Sequence, residues 1–94
     1  MSTNIQQTSL EAYKSIRDIL GLSQSQVLHV FEIHPAVKDW TNLELARYLQ
    51  WDINRITGRV FELRQLGVLE ESRQRSCKIT GRTSIAWRIK EAQQ

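Results

Sequence analysis

Residues 41–69, TNLELARYLQWDINRITGRVFELRQLGVL, decide how the whole chain is read. Thr41 and Glu44 stand at capping-box spacing, so a short helix opens there and runs through Leu43, Ala46, Tyr48 and Leu49. Gln50, Trp51 and Asp52 leave room only for a tight turn. Asn54 has the short polar side chain of an N-cap, which predicts a second helix from there to about Leu66. Ile56, Val60 and Leu63 then fall at i, i+4 and i+7, a single buried stripe. Gly67 follows as a C-terminal cap, where the backbone needs the left-handed conformation. Two short helices joined this tightly cross steeply, as in a helix-turn-helix, and Ala46 is small enough to let them approach. An ordinary helical corner has the same spacing, so the flanking chain must choose between them.

Downstream the period changes. Val68, Leu69, Glu70 and Glu71 begin a strand, and residues 84–90 alternate. Ile85, Trp87 and Ile89 are expected on the inward face, with Ala86, Arg88 and Lys90 outward. Thr80-Gly81 suits the turn between the two strands. Upstream, a helix is predicted over residues 10–20, capped by Thr8 or Ser9, with Leu10, Tyr13, Ile16 and Leu20 in register. Gly21 ends it. Ser23 and Gln26 form another capping box, opening a helix that uses Val27, Leu28, Val30 and Phe31 and stops after His34 because of Pro35. Residues 36–40 read as a connector. The fold class is therefore α+β, about four helices followed by a C-terminal β-hairpin.

Ninety-four residues with 40% apolar content suit one domain, assigned here to residues 9–90, with loose tails at 1–8 and 91–94. The lone Cys77 cannot form an intramolecular disulfide, and a reducing cytoplasmic setting is expected. No apolar run is long enough to span a membrane. The net charge of +3 is unevenly placed: residues 1–50 carry −1 and residues 51–94 carry +4. Residues 73–90 hold six basic side chains and no acidic one. That asymmetry points to a polyanionic partner, although a solvated basic hairpin with no partner has the same composition.

With these elements in place, the chain resembles the winged helix-turn-helix superfamily. Residues 41–49 resemble the first helix of such regulators, and residues 53–69 the recognition helix and the entry to the wing. The shared signature is the apolar-x3-apolar-x2-Leu-x3-Gly-x-Leu spacing. The hairpin, with Arg75, Ser76, Cys77, Lys78, Ile79, Thr80, Gly81, Arg82 and the later Trp87, is similar to small winged-helix proteins of bacteriophages and prophages. The turn departs from the pattern, since residues 50–52 lack the glycine often found there. The resemblance implies double-stranded DNA as partner, with the recognition helix in the major groove and the wing on an adjacent groove or backbone. It implies a transcriptional regulator or a replication or recombination accessory. A winged helix also serves as a protein-interaction module, so an acidic protein partner, or a homodimer, stays open beside it.

On this reading Asn54, Arg55, Thr57, Gly58 and Arg59 are the recognition-helix contacts. At 100° per residue, Arg55, Gly58, Glu62 and Gln65 lie opposite the core stripe, and Thr57 and Arg59 flank it. Arginine reads guanine bidentately or holds phosphate, and Asn54 pairs with adenine if capping leaves it free. Gly58 either lets the backbone approach DNA or permits close packing inside the protein. Glu62 either accepts from cytosine or pairs with an arginine such as Arg59. Phe61 lies off the stripe, against the first helices or on a dimer surface. In the wing, Arg73, Arg75, Lys78 and Arg82 are the expected phosphate contacts. Four to six such contacts predict a log affinity–log salt slope of about −4 to −5.

His29 and His34 are poorly spaced for a shared metal, and no cofactor or small-molecule substrate is expected. Without a phosphate-cradling loop, nucleophile elbow or acid–base pair, the chain does not read as an enzyme. Trp40, Trp51 and Trp87 are read as packing residues.

Overall fold

The computed structural model describes residues 13–90. Residues 13–19 are helical (α1), and the remaining elements follow in chain order. They are α2 (Leu22–Ile33), β1 (Trp40–Thr41), α3 (Asn42–Leu49), α4 (Ile53–Gln65), β2 (Leu69–Ser76) and β3 (Thr83–Ile89). The α+β architecture with four helices is as expected. It also contains a strand that the sequence reading treated as connector. The two tails, and the start of the first helix with its cap, lie outside the described residues.

Helix α1 is tied to α2 by polar contacts over a partly buried apolar seam. Arg17 Nε donates to Glu32 Oε2 at 3.0 Å, and the Tyr13 hydroxyl donates to the same oxygen at 2.6 Å. Tyr13, Ile16 and Leu20 pack against the core from this side. Helix α2 begins at Leu22, one residue before the predicted cap. Gly21 is its N-cap, and Gln24, rather than Gln26, turns back to accept the Gly21 N–H at 3.0 Å. Ser23 is thereby inside the helix. Val27, Leu28, Val30 and Phe31 form the buried face, and the helix stops at Ile33, ahead of Pro35.

Helix α3 opens on the predicted capping box. Thr41 Oγ1 accepts the Glu44 N–H, and Glu44 Oε1 accepts the Thr41 N–H. At the far end Gln50 adopts φ 59°, in the left-handed region, and Trp51 N–H closes on Ala46 O at 3.0 Å. Glutamine thus occupies the position where a glycine would be less strained. The cap of α4 differs from expectation: Asp52 is the N-cap, accepting the Asn54 N–H at 3.1 Å, and the helix starts at Ile53. Asn54 is already helical, so its side chain is released from capping. The C-terminus follows the glycine rule. Gly67 has φ +78°, its N–H bonds Arg64 O, and Val68 N–H bonds Leu63 O, the paired contacts of a Schellman motif.

The three strands run antiparallel in the order β1-β3-β2. Strand β1 is only two residues long, pairing Trp40 with Trp87 and Thr41 with Ala86. The aromatic contacts of Trp40 with Phe31, His34 and Tyr48 hold it in place. A bulge between Glu71 and Arg73 shifts the register of β2. The burial pattern along β3 departs from the expected alternation. Ala86, expected outward, is fully buried on the central strand β3, paired with Thr41 on one side and Arg73 on the other. Ile85, towards the hairpin tip and beyond the core, is 38% exposed. The core lies between α2, the two later helices and the base of the hairpin, around Leu28, Leu45, Ile56, Leu63 and Leu69.

Candidate nucleic-acid interface

Helix α4 buries Ile56, Val60 and Leu63 at 2% exposure or less, as its stripe predicts. The flank next to α2 is occupied by the charged residues. Arg55 donates to Ser23 Oγ at 3.0 Å, and its guanidinium lies 3.6 Å from the centre of the Trp51 ring. Arg59 grips Glu62 through two bonds, Nε to Oε1 at 2.8 Å and Nη2 to Oε2 at 2.7 Å. Glu62 also accepts from Gln24 Nε2 at 2.8 Å. The bonds from Arg59 and then Gln24 draw the Glu62 carboxyl below its ordinary pKa. The two arginines expected to face a partner are therefore engaged within the protein, through contacts to α2, the turn and α4 itself.

What faces outward without a polar partner is a different set. At 100° per residue, Gly58 and Gln65 lie at the centre of the arc opposite the core stripe, with Asn54 and Phe61 on one side of them, Arg55 and Glu62 on the α2 side, and Thr57 at the edge. Asn54, Phe61 and Gln65 are exposed. The Asn54 and Gln65 side chains have no hydrogen-bond partner among the described residues. Thr57 donates its hydroxyl to Ile53 O at 3.0 Å. A Cβ placed on Gly58 would meet nothing within 4 Å, so internal packing does not explain that glycine. Phe61 is 58% exposed, which removes the reading in which it packs against the first helices. The unpartnered part of that arc is narrower than predicted because α2 engages Arg55 and Glu62.

The hairpin divides its basic residues in the same way. Arg75 donates from Nη1 to Glu44 Oε2 and from Nη2 to Glu44 Oε1, both at 2.8 Å, and from Nε to Asp39 Oδ1 at 2.8 Å. Its side chain is only 14% exposed. A phosphate contact by Arg75 gives way to a structural role, since its donors already face two buried carboxylates. Arg73 Nε bonds Asp39 Oδ2 at 2.9 Å, with about half its side chain in solvent. Arg88 pairs with Glu70 at 2.8 Å. Burial pushes the Asp39 carboxyl up, but bonds from Ser72, Arg75 and Arg73 outweigh it and hold the pKa at about 2. Glu44 is likewise pushed up by burial and brought down to about 2 by Arg75 and the Lys78 and Thr41 N–H groups.

Lys78 and Arg82 remain at the tip, exposed, their side chains without hydrogen-bond or ion-pair partners among the described residues. The tip is closed by Cys77 N–H to Arg82 O at 2.8 Å and Gly81 N–H to Cys77 O at 2.7 Å. Gly81 has φ +78°, the conformation this turn requires. Beneath it Cys77 is buried, with Sγ 3.3 Å from Thr41 Oγ1. Burial raises its pKa, yet bonds from Thr41 and the Thr80 and Ile79 backbone lower it overall.

Arg47 is the residue that reading by charge runs missed. It is exposed on the last turn of α3, unpaired among the described residues, and lines a hollow with Gln50, Trp51 and Ile53 where α4 begins. Its only sequence signal was its place beside the turn. On the other side of α4, an open groove of about 470 Å³ runs between Ile53 and Thr57 and the hairpin residues Ser84 and Ile85. Asn42 lies along this groove, with its Oδ1 buried and without a partner.

Among the described residues no group of three or more His, Cys, Asp and Glu side chains could hold a metal ion, and no helix is long and apolar enough to cross a membrane. No protein-family model matches the chain, and no curated protein matches it.

Proposed function

We propose that the protein is a winged helix-turn-helix domain that binds double-stranded DNA, serving as a transcriptional regulator or as a replication or recombination accessory. The order helix, strand, helix, helix, strand, strand, with β3 between β1 and β2, supports that fold reading. One observation carries the functional reading. The one carboxylate on the outward half of α4, Glu62, is paired with Arg59 and Gln24, while unpaired cations remain at Arg47, where α4 begins, and at Lys78 and Arg82 on the hairpin tip. Helix α4 enters the major groove, and the three cations hold phosphates. Those contacts set register and orientation without choosing sequence.

Three phosphate contacts give a log affinity–log salt slope of about −3, shallower than composition alone suggests. Titration of a labelled duplex through a salt series measures it. Lys78→Ala and Arg82→Ala should each flatten the slope by about 1. Weak, salt-independent association would refute the reading. A protein-interaction module is the second reading, favoured by one observation: a phenyl ring 58% exposed in the middle of α4. Self-association or partner binding lost in Phe61→Ala, with no duplex affinity, would select it.

A further inference from the structure

We infer that α4 reads A·T base pairs rather than G·C pairs, through Asn54, Thr57 and Phe61; the inference rests on the duplex-binding reading above. Guanine is read in the major groove by a guanidinium or ammonium group, and cytosine by a carboxylate. Helix α4 owns such groups in Arg55, Arg59, Glu62 and Arg64, and each is already engaged by a contact within the protein. Arg59 and Glu62 satisfy each other through two bonds, with Gln24 on the same carboxylate. Arg55 is stacked on Trp51 and bonded to Ser23. Arg64 is turned towards the hairpin, its guanidinium 5.2 Å from the centre of the Trp87 ring. Recruiting Arg59 for guanine would leave the Glu62 carboxylate without its main partner, close to the phosphates.

The groups that do face outward match the other base pair. The free carboxamide of Asn54 presents a donor and an acceptor together, the pattern that pairs with adenine N6 and N7. The Phe61 ring offers apolar surface, which in the major groove is complementary to the thymine methyl. Thr57 has its hydroxyl bonded to Ile53 O, so its methyl is what remains for a base edge. Gly58 lies between Asn54 and Phe61, with open space above its backbone, and allows the helix to approach closely. From Asn54 to Phe61 the helix rises about 10 Å, comparable to a major groove about 12 Å wide. Gln65, one turn further on, falls at the edge of that span.

The test is selection of bound duplexes from a randomised library with the full chain. It is followed by anisotropy titrations of the selected site at constant salt for the wild type and for Asn54→Ala, Phe61→Ala and Arg59→Ala, each checked for folding by circular dichroism. The expected site has an A·T core. Exchanging the central A·T pair for G·C should weaken wild-type binding by about five- to a hundred-fold, and Asn54→Ala should lose that discrimination. Replacing the core thymine by uracil removes one methyl group and should cost about four-fold in the wild type and nothing in Phe61→Ala. A G·C core whose preference disappears in Arg59→Ala would overturn the inference, as would salt-dependent binding with no base preference, and either would leave duplex binding standing. No binding to any duplex at low salt would remove the DNA reading itself and this inference with it.

Discussion

Arg75 clasps Glu44 through two parallel bonds of 2.8 Å, joining the outer hairpin strand to the N-terminal cap of α3. Glu44 is the capping-box residue of that helix, so one carboxylate serves both a local and a long-range contact. Arg75 also bonds Asp39, which is 3% exposed, and the three side chains set how the hairpin lies against the helices.

Removing Arg75 leaves two buried carboxylates without their main cation. Arg75→Ala should therefore lower stability by about 3–5 kcal/mol. For a domain of this size that is a fall of at least about 10 °C in Tm, measured by thermal denaturation. Arg82→Ala, at the exposed tip, should stay within about 0.5 kcal/mol of wild type. Equal effects from the two variants would contradict the division of the hairpin into structural and free cations.

Acid should loosen the same cluster. Asp39 and Glu44 have folded-state pKa values of about 2, below the roughly 4 of an unfolded carboxylate. A depressed pKa contributes stability that is complete above the unfolded value and lost as pH falls through the folded one. Stability should therefore be flat above about pH 5 and decline from there to about pH 2, by on the order of 2–3 kcal/mol per carboxyl. The contributions are coupled through Arg75 and do not add. Asp39→Asn should shallow the decline in a denaturant series run at several pH values.

Gly58→Ala separates stability from binding. A helical glycine with open space around it costs about 1 kcal/mol relative to alanine, so the variant should be more stable by about that amount. Its new methyl lies on the outward arc, so duplex affinity should fall while Tm rises. A rise in both would remove the close approach proposed for that backbone.

The corrected cap has its own consequence. Asp52→Ala should cost about 1 kcal/mol, because Asp52 accepts the Asn54 N–H. Asn54→Ala should leave stability nearly unchanged while altering base preference. Urea unfolding of both variants checks the assignment, and a larger loss in Asn54→Ala would reverse it.

Most of what was legible in the sequence is local. The buried stripe of α4, the Thr41–Glu44 box, the left-handed Gly67 and the turn at Gly81 depend on residues within a few positions of one another. Periodicity and turn chemistry record such contacts directly. The cap of α4 was misplaced because Asp52 and Asn54 are both good caps two residues apart, and the turn geometry at Gln50 chose between them. Strand β1 was missed because two residues carry no period, and it exists only through pairing with β3 and the aromatic contacts of Trp40.

The site was less legible than the fold, for a related reason. A count of charges along residues 73–90 finds six positive groups and no negative one, but Arg73, Arg75 and Arg88 meet Asp39, Glu44 and Glu70, which lie outside that run. Similarly, α2 supplies Ser23 to Arg55 and Gln24 to Glu62, engaging the charged flank of α4. The sequence by itself determined the helices, their joints and the basic character of the hairpin, through interactions that span a turn or two of chain. Tertiary structure decided which of those charges are free. A side chain's electrostatic role is set by what lies a few ångströms away in space, and here those partners are as far as 38 residues away in sequence.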